Sequence, residues 1–117
     1  MKALIPSIAA LSVLIAGPAS AHAHLEKSTP TEGSVLMSAP TTLEMTFSEA
    51  ARLTALSIQK DQEPKQPIKS LPTAVEQTAR VALPVLSSGT YTVSWRVVSA
   101  DGHVMSGALH FTVAAKR

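Results

Sequence analysis

Cysteine, aromatic residues and excess charge are all scarce in this sequence. Its 117 residues include no cysteine and only four aromatic side chains. Without cysteine, packing alone must stabilise the fold, and any metal site must do without thiolate ligands. Ten basic residues face eight acidic ones, and this near balance argues against nucleic acid or an anionic membrane surface as the main partner.

The only long apolar run lies at the N-terminus and predicts an export signal. Lys2 precedes the mostly apolar stretch 3–16, and a helix-breaking Gly-Pro pair separates that stretch from the small residues 19–21. This arrangement is typical of a signal peptide, here residues 1–21, cleaved after Ala21. A membrane anchor is the alternative, but a bilayer span needs about 20 apolar residues. Cleavage would leave one small domain, residues 22–117, with a net charge of +1 and no membrane span.

The mature chain shows the two-residue period of half-buried strands. The pattern predicts strands over residues 43–49, 53–60, 79–86, 89–99 and 107–113. Turn-rich sequences separate these segments, and only residues 50–55 suggest a single turn of helix. Several short strands between turn signals predict an all-β fold, an antiparallel Greek-key sandwich or barrel.

The alternation also predicts the core. Tyr91 and Trp95 could form a ligand platform, but they lie on the inward face of the most apolar strand, and Tyr91 resembles a tyrosine corner. We therefore assign them to the core. The predicted core is Leu43, Met45, Phe47, Leu56, Ile58, Val81, Leu83, Tyr91, Val93, Trp95, Val97, Leu109, Phe111 and Val113.

Cleavage after Ala21 would create a chelating group. The new first residue, His22, would carry an α-amine and an imidazole Nδ1 that can bind one metal ion in a six-membered ring. Both groups lose protons easily near neutral pH, since their pKa values are about 8 and about 6.5. In the uncleaved precursor the nitrogen of His22 is an amide, so export and metal binding would be coupled.

A second group of donors follows the strand that contains Trp95. Asp101 and His103 are two residues apart, so in extended backbone they project to the same side. Alone, this Asp-Gly-His sequence could be an ordinary turn with a solvated histidine. Together with His22 it offers an amine, two imidazoles and a carboxylate, a donor set that suits tetragonal Cu(II).

Three segments resemble the CopC/PcoC family of periplasmic copper-resistance proteins. They are HAHLEKSTPTEGSVL, LEMTFSE and GTYTVSWRVVSADGHVMSGALHFTV, which begin at His22, Leu43 and Gly89. The resemblance implies a seven-stranded, immunoglobulin-like Greek-key barrel in which the N-terminus lies beside the late loop. It also implies one Cu(II) ion per mature chain, bound by the residues matching His22, Asp101 and His103, with an inner-membrane copper transport protein as a candidate partner.

One feature of some family members is missing. Those members carry a methionine-rich loop that binds Cu(I), whereas residues 48–70 here contain no methionine. Met37, Met45 and Met105 are scattered along the chain. A Cu(I) site is therefore not expected.

Two other histidines and one carboxylate leave alternatives open. His24 is third in the mature chain, so Cu(II) could instead bind the N-terminal amine, two deprotonated amides and the His24 imidazole. If the following strand is paired, those amides are committed and His24 lies outside the ligand set. His110 is expected to be exposed and without a role, and Glu49 is either a solvated carboxylate or a charge that neutralises the site.

Three classes of function fit the sequence. The first is a periplasmic Cu(II)-binding protein for copper resistance or homeostasis, without enzymatic activity, that buffers or carries the ion. The second is a copper monooxygenase, since such enzymes also use an N-terminal histidine, but Asp101 would fill a position that oxygen needs. The third is a metal-free immunoglobulin-like interaction module.

Overall fold

The computed structural model describes residues 24–114 as a curled sheet of seven strands. The predicted all-β, immunoglobulin-like barrel of about seven strands is confirmed. Within the described residues there is no helix, and hence none long and apolar enough to cross a membrane. The predicted signal peptide lies outside them. The strands are β1 (Leu25–Thr29), β2 (Ser34–Leu36), β3 (Thr42–Lys60), β4 (Gln66–Pro67), β5 (Glu76–Ala82), β6 (Gly89–Ser99) and β7 (Val104–Val113).

The long strand β3 connects the two halves of the barrel. Its first part, residues 42–47, pairs with β1 on one side and β5 on the other, and its later part, residues 51–60, pairs with β6 and β4. The register with β5 shifts between Thr46 and Ala51. Irregular pairing of this kind bends a strand, so residues 48–50 form a corner at which β3 passes from one set of neighbours to the other.

The predicted helical turn at residues 50–55 is wrong, and the two predicted strands around it are one. Ala51 pairs with Glu76 of β5 and with Ser99 of β6, and both Ala51 and Leu53 are buried. A helical turn would give up these ladder hydrogen bonds and this burial, which together outweigh the helix propensity of the alanines.

The predicted core is almost completely buried. Of its fourteen residues only Leu83 is partly exposed, because β5 ends at Ala82 and Pro84, which has no N–H, cannot extend the ladder. The prediction missed four core residues: Ala51, Leu53, Ala79 and Leu86. All of them except Ala79 lie outside the alternation from which the core was predicted.

The aromatic side chains of β6 belong to the core, as predicted. Trp95 is 7% exposed and meets Phe47 edge to face, with ring centroids 5.3 Å apart. The Tyr91 hydroxyl donates a 2.6 Å hydrogen bond to the carbonyl oxygen of Ser87 and forms the tyrosine corner. Loss of a ring such as that of Phe47 typically costs about 3–5 kcal/mol, so these contacts hold the strand that leads into the candidate site.

Candidate metal centre

The loop between β6 and β7 carries two of the three predicted ligands. Two backbone hydrogen bonds close this loop. The amide of Gly102 donates to the carbonyl oxygen of Ser99 over 2.9 Å, and the amide of Ser99 donates to the carbonyl oxygen of His103 over 2.9 Å. Gly102 has a φ of +90°, which only glycine adopts without strain. The Asp-Gly sequence therefore turns the chain tightly and keeps Asp101 and His103 on one turn.

Asp101 and His103 contact each other directly. Asp101 Oδ2 lies 2.9 Å from His103 Nδ1, and the His103 amide donates to Asp101 Oδ1 over 3.3 Å. Both side chains are about half exposed, at 47% for Asp101 and 55% for His103. The loop thus presents a carboxylate and an imidazole to solvent as a unit, and Asp101 sets the orientation of the imidazole ring.

The hydrogen bonds that Asp101 accepts favour its ionised form. The hydroxyl of Ser99 donates to Asp101 Oδ1, and this bond, followed by the bond to the His103 side chain, lowers the pKa of Asp101 to about 2. The carboxylate is therefore charged throughout the neutral and mildly acidic range, as a ligand or partner of a divalent cation must be.

The start of β1 lies at the corner of β3. The amide of Ser48 donates to the carbonyl oxygen of His24 over 2.8 Å, and the amide of His24 donates to Ser48 Oγ over 3.0 Å. Three residues further along β3, Ala51 pairs with Ser99 at the end of β6. Three residues of strand span about 10 Å, so the chain enters the barrel near the loop that holds Asp101 and His103.

The third predicted ligand, His22, lies outside the described residues. It precedes His24 by two residues, and two residues of extended chain reach at most about 7 Å. Within residues 24–114 no three His, Cys, Asp or Glu side chains form a group able to hold a metal ion. A metal site that used Asp101 and His103 would therefore need further donors from another part of the chain.

Glu49 and the methionines occupy different surroundings. Glu49 follows Ser48 at the corner of β3 and is partly buried.

The three methionines lie apart from one another. Met45 is fully buried in the core, as expected, whereas Met37 is 70% exposed beyond β2, and Met105 packs against the core from β7. Leu36, beside Met37, pairs with Val113 of β7. Met105 lies eight residues before Val113 on β7, and eight residues of strand span about 27 Å. Met37, next to Leu36, and Met105 therefore lie in separate parts of the barrel.

His110 forms a second pair of histidine and carboxylate. It is exposed, as predicted, but its Nδ1 lies 3.2 Å from Glu32 Oε2, and its amide donates to Glu32 Oε1 over 2.8 Å. The backbone hydrogen bond from His110 is the main cause of a lowered pKa of Glu32. This pair fastens the loop between β1 and β2 to β7.

Sequence reasoning missed Ser99. It is 3% exposed and, apart from the aromatic residues Tyr91 and Trp95, is the one buried side chain among residues 24–114 that carries a polar group. A signal was present in the sequence, because Ser99, Asp101 and His103 alternate and would project to one side of an extended chain.

Together, the fold and the loop define a small all-β domain with imidazole and carboxylate donors at one end. Residues 25–114, nearly all of the described chain, match the family model of the CopC domain. The chain belongs to the CopC family.

Individual relatives agree with this membership. The chain is 38% identical to Protein YobA of Escherichia coli (strain K12) over 102 residues, covering 82% of this chain and 80% of that protein. It is 32% identical to Copper resistance protein C of Pseudomonas syringae pv. tomato over 114 residues, covering 89% and 90%. Its fold matches the crystal structure of CopC from Methylosinus trichosporium OB3b with a TM-score of 0.72 and 22% identity, covering 82% and 97%.

Proposed function

We propose that the mature protein is a periplasmic Cu(II)-binding protein for copper resistance or homeostasis, which buffers or carries one copper ion per chain. The ligands in this proposal are His22, Asp101 and His103. The observation that carries it is the paired carboxylate and imidazole on a tight loop close to the point where the chain enters β1. Copper resistance proteins among its relatives support the choice of metal.

The chemistry of the donors favours Cu(II). His22 would supply its amine and Nδ1, His103 an imidazole nitrogen and Asp101 a carboxylate oxygen, a set of nitrogen and oxygen donors that suits a tetragonal divalent ion. Asp101 is ionised at neutral pH and would offset one of the two positive charges. Glu49, partly buried at the corner of β3, is the candidate for the second negative charge.

The alternative that uses the amide nitrogens of the N-terminus is less favoured. It requires deprotonation of the His24 amide, which donates a hydrogen bond to Ser48 Oγ, while the carbonyl oxygen of His24 accepts one from the Ser48 amide. Copper binding in that mode would break the first pairing of the chain with β3. We therefore keep His24 outside the ligand set.

The proposal assigns the protein to carriers rather than to enzymes. A copper monooxygenase needs an open coordination position for oxygen, and Asp101 would fill one position beside the three nitrogen donors. The test is oxygen consumption by the copper-loaded protein in the presence of ascorbate. A carrier consumes no more oxygen than the same amount of free copper, whereas sustained turnover would support the enzyme.

Export and carriage complete the proposal. Residues 1–21 act as the signal peptide, so the mature protein begins with His22 in the periplasm. Carriage further into the cell requires an inner-membrane copper transport protein as a partner, because an ion does not cross the hydrocarbon core unaided. The mass of the protein recovered from the periplasm tests the cleavage position.

The site should distinguish the two oxidation states of copper. Cu(I) prefers thioether or thiolate ligands, and Met37 and Met105 lie in separate parts of the barrel. Reduction by ascorbate should therefore transfer copper to a Cu(I) chelator of moderate affinity. Copper that remains on the protein would reveal a Cu(I) site, with Met37 and Met105 the first residues to change.

Isothermal titration of the correctly processed protein with Cu(II) tests the central proposal. We expect one tight equivalent, and the loss of tight binding when His22 or His103 is replaced by alanine. A metal-free interaction module predicts no tight binding by the native protein. Retention of full affinity in both variants would place the copper elsewhere.

A further inference from the structure

Ser99 is a polar residue in the inward-facing row of β6, whose other buried members are aliphatic or aromatic. The inward-facing residues of β6 are all buried, and the row ends at Ser99, which is 3% exposed. The other members of the row are Tyr91, Val93, Trp95 and Val97. A buried hydroxyl costs free energy unless it forms a hydrogen bond. The role of this side chain must therefore lie in the bonds that it makes.

Those bonds all lead to the loop that carries the proposed ligands. The Ser99 hydroxyl donates to Asp101 Oδ1 and also lies 3.4 Å from the carbonyl oxygen of His103. The backbone of Ser99 binds both Gly102 and His103. Ser99 thus connects the end of the rigid strand β6 to the side chain of Asp101.

We propose that Ser99 is the positioning residue of the copper site: its buried hydroxyl holds Asp101 Oδ1, so that Oδ2 is the oxygen presented to His103 and the metal. This inference rests on the proposed function. Asp101 Oδ1 accepts hydrogen bonds from the Ser99 hydroxyl and from the His103 amide, whereas Oδ2 lies 2.9 Å from His103 Nδ1. The carboxylate therefore offers one oxygen, in a fixed direction, rather than two that rotate freely.

The physical advantage is preorganisation. Asp101 is about half exposed, and an exposed aspartate side chain that is not held would lose rotational freedom each time it bound a metal. The hydrogen bond from Ser99 fixes the side chain before copper arrives. Residues that hold metal ligands in this way commonly change metal affinity by about 10–100-fold when they are removed.

The experiment compares two substitutions of similar shape that differ in the hydroxyl. Ser99→Thr keeps the donor, whereas Ser99→Val replaces it with a methyl group. Cu(II) affinity is measured by competition with a chelator of known affinity, on mature protein whose mass confirms that it begins with His22. We expect Ser99→Val to bind about 10–100-fold more weakly, with an altered Cu(II) EPR spectrum, and Ser99→Thr to stay close to the native protein. Ser94→Ala, on the outer face of the same strand, is the control and should change neither.

A double-mutant cycle separates positioning from a general effect on the loop. Ser99→Ala is measured in the native protein and in Asp101→Ala. If Ser99 acts through Asp101, its removal has no further effect once Asp101 is absent. Equal losses in both backgrounds, or native affinity in Ser99→Val, would overturn the inference while the copper function stands. Absence of tight Cu(II) binding by the native protein would instead overturn the proposed function.

Discussion

Two pairs of histidine and carboxylate lie on the surface of this barrel, and their local geometry is similar. In one, His103 Nδ1 lies 2.9 Å from Asp101, and in the other His110 Nδ1 lies 3.2 Å from Glu32. In both, the backbone amide of the histidine also donates to the same carboxylate. All four side chains are exposed by about half or more. The pairs cannot be distinguished as metal sites by their internal distances.

Their surroundings differ. Asp101 is held from beneath by the buried Ser99, and its loop lies near the start of β1, where the described chain enters the barrel. Glu32 bonds only His110 among the residues whose structure is described, and it lies 78 residues from it in sequence. Seven residues, or about 24 Å of extended strand, separate His110 from His103. A histidine and a carboxylate become a candidate metal site when further donors can reach them.

The largest effect should come from blocking the N-terminal donors. Addition of one residue before His22, for example a retained methionine, converts the α-amine into an amide and destroys the chelate ring. We expect Cu(II) affinity to fall by orders of magnitude in a competition titration, because two donors are disturbed at once. The unextended protein is the control. Equal affinities would show that Asp101 and His103 bind copper without the N-terminus. Access to N-terminal donors would then not distinguish this pair from the pair of Glu32 and His110.

Removal of a single imidazole should have the next largest effect and should separate the two pairs. His103→Ala is expected to weaken Cu(II) binding more than about 100-fold, since the loss of a ligand exceeds the 10–100-fold typical of residues that only support one. His110→Ala is the matched control and should leave the affinity unchanged. A comparable loss in both variants would mean that the second pair also binds copper.

Replacement of His24 should have a smaller effect. In His24→Ala the backbone bonds to Ser48 remain possible, so we expect the Cu(II) EPR spectrum and the affinity to stay close to those of the native protein. Collapse to weak binding would favour the alternative in which copper binds the N-terminal amides and the His24 imidazole.

The smallest effect concerns stability in acid. The folded-state pKa of Asp101 is about 2, below its ordinary value of 3.8. The stabilisation linked to this carboxylate is therefore complete above about pH 4 and is lost as the pH falls towards 2. In the metal-free protein, Asp101→Asn should lower Tm slightly at pH 6 and by less at pH 2. A difference in Tm between the native protein and Asp101→Asn that is the same at pH 6 and pH 2 would contradict the link between stability and the ionisation of Asp101.

Copper release should follow a different pH range. Asp101 remains ionised in mildly acidic solution, whereas amine and imidazole nitrogens must lose their protons before they can bind a metal ion. Protons therefore compete with copper at the nitrogen donors first. Copper loss measured by EPR should occur well above pH 4, at a pH where Asp101 is still charged. Release only below pH 3 would point to a site dominated by carboxylates.

The strand pattern and the core were readable from the sequence because a sheet with one buried face imposes a two-residue period. Residues 89–99 form β6 with the predicted bounds, and thirteen of the fourteen predicted core residues are buried. The joining of residues 43–49 and 53–60 into β3 was not readable. Its cause is the pairing of Ala51 with both Glu76 and Ser99, which are distant in sequence.

For the candidate site, the sequence by itself determined the types of donor and the tight turn, because Asp-Gly-His is a local feature whose chemistry needs no partner. The tertiary structure decided what lies beneath and beside that turn. The bond from Ser99 to Asp101 joins residues two apart, but only the closed sheet buries Ser99 at the end of the inward row of β6, and only the pairing of β1 with β3 brings the start of the domain to the same corner. Hydrogen bonds within four residues follow from local geometry, whereas the contacts of His24 with Ser48 and of Ala51 with Ser99 join segments distant in sequence and depend on how the whole sheet closes.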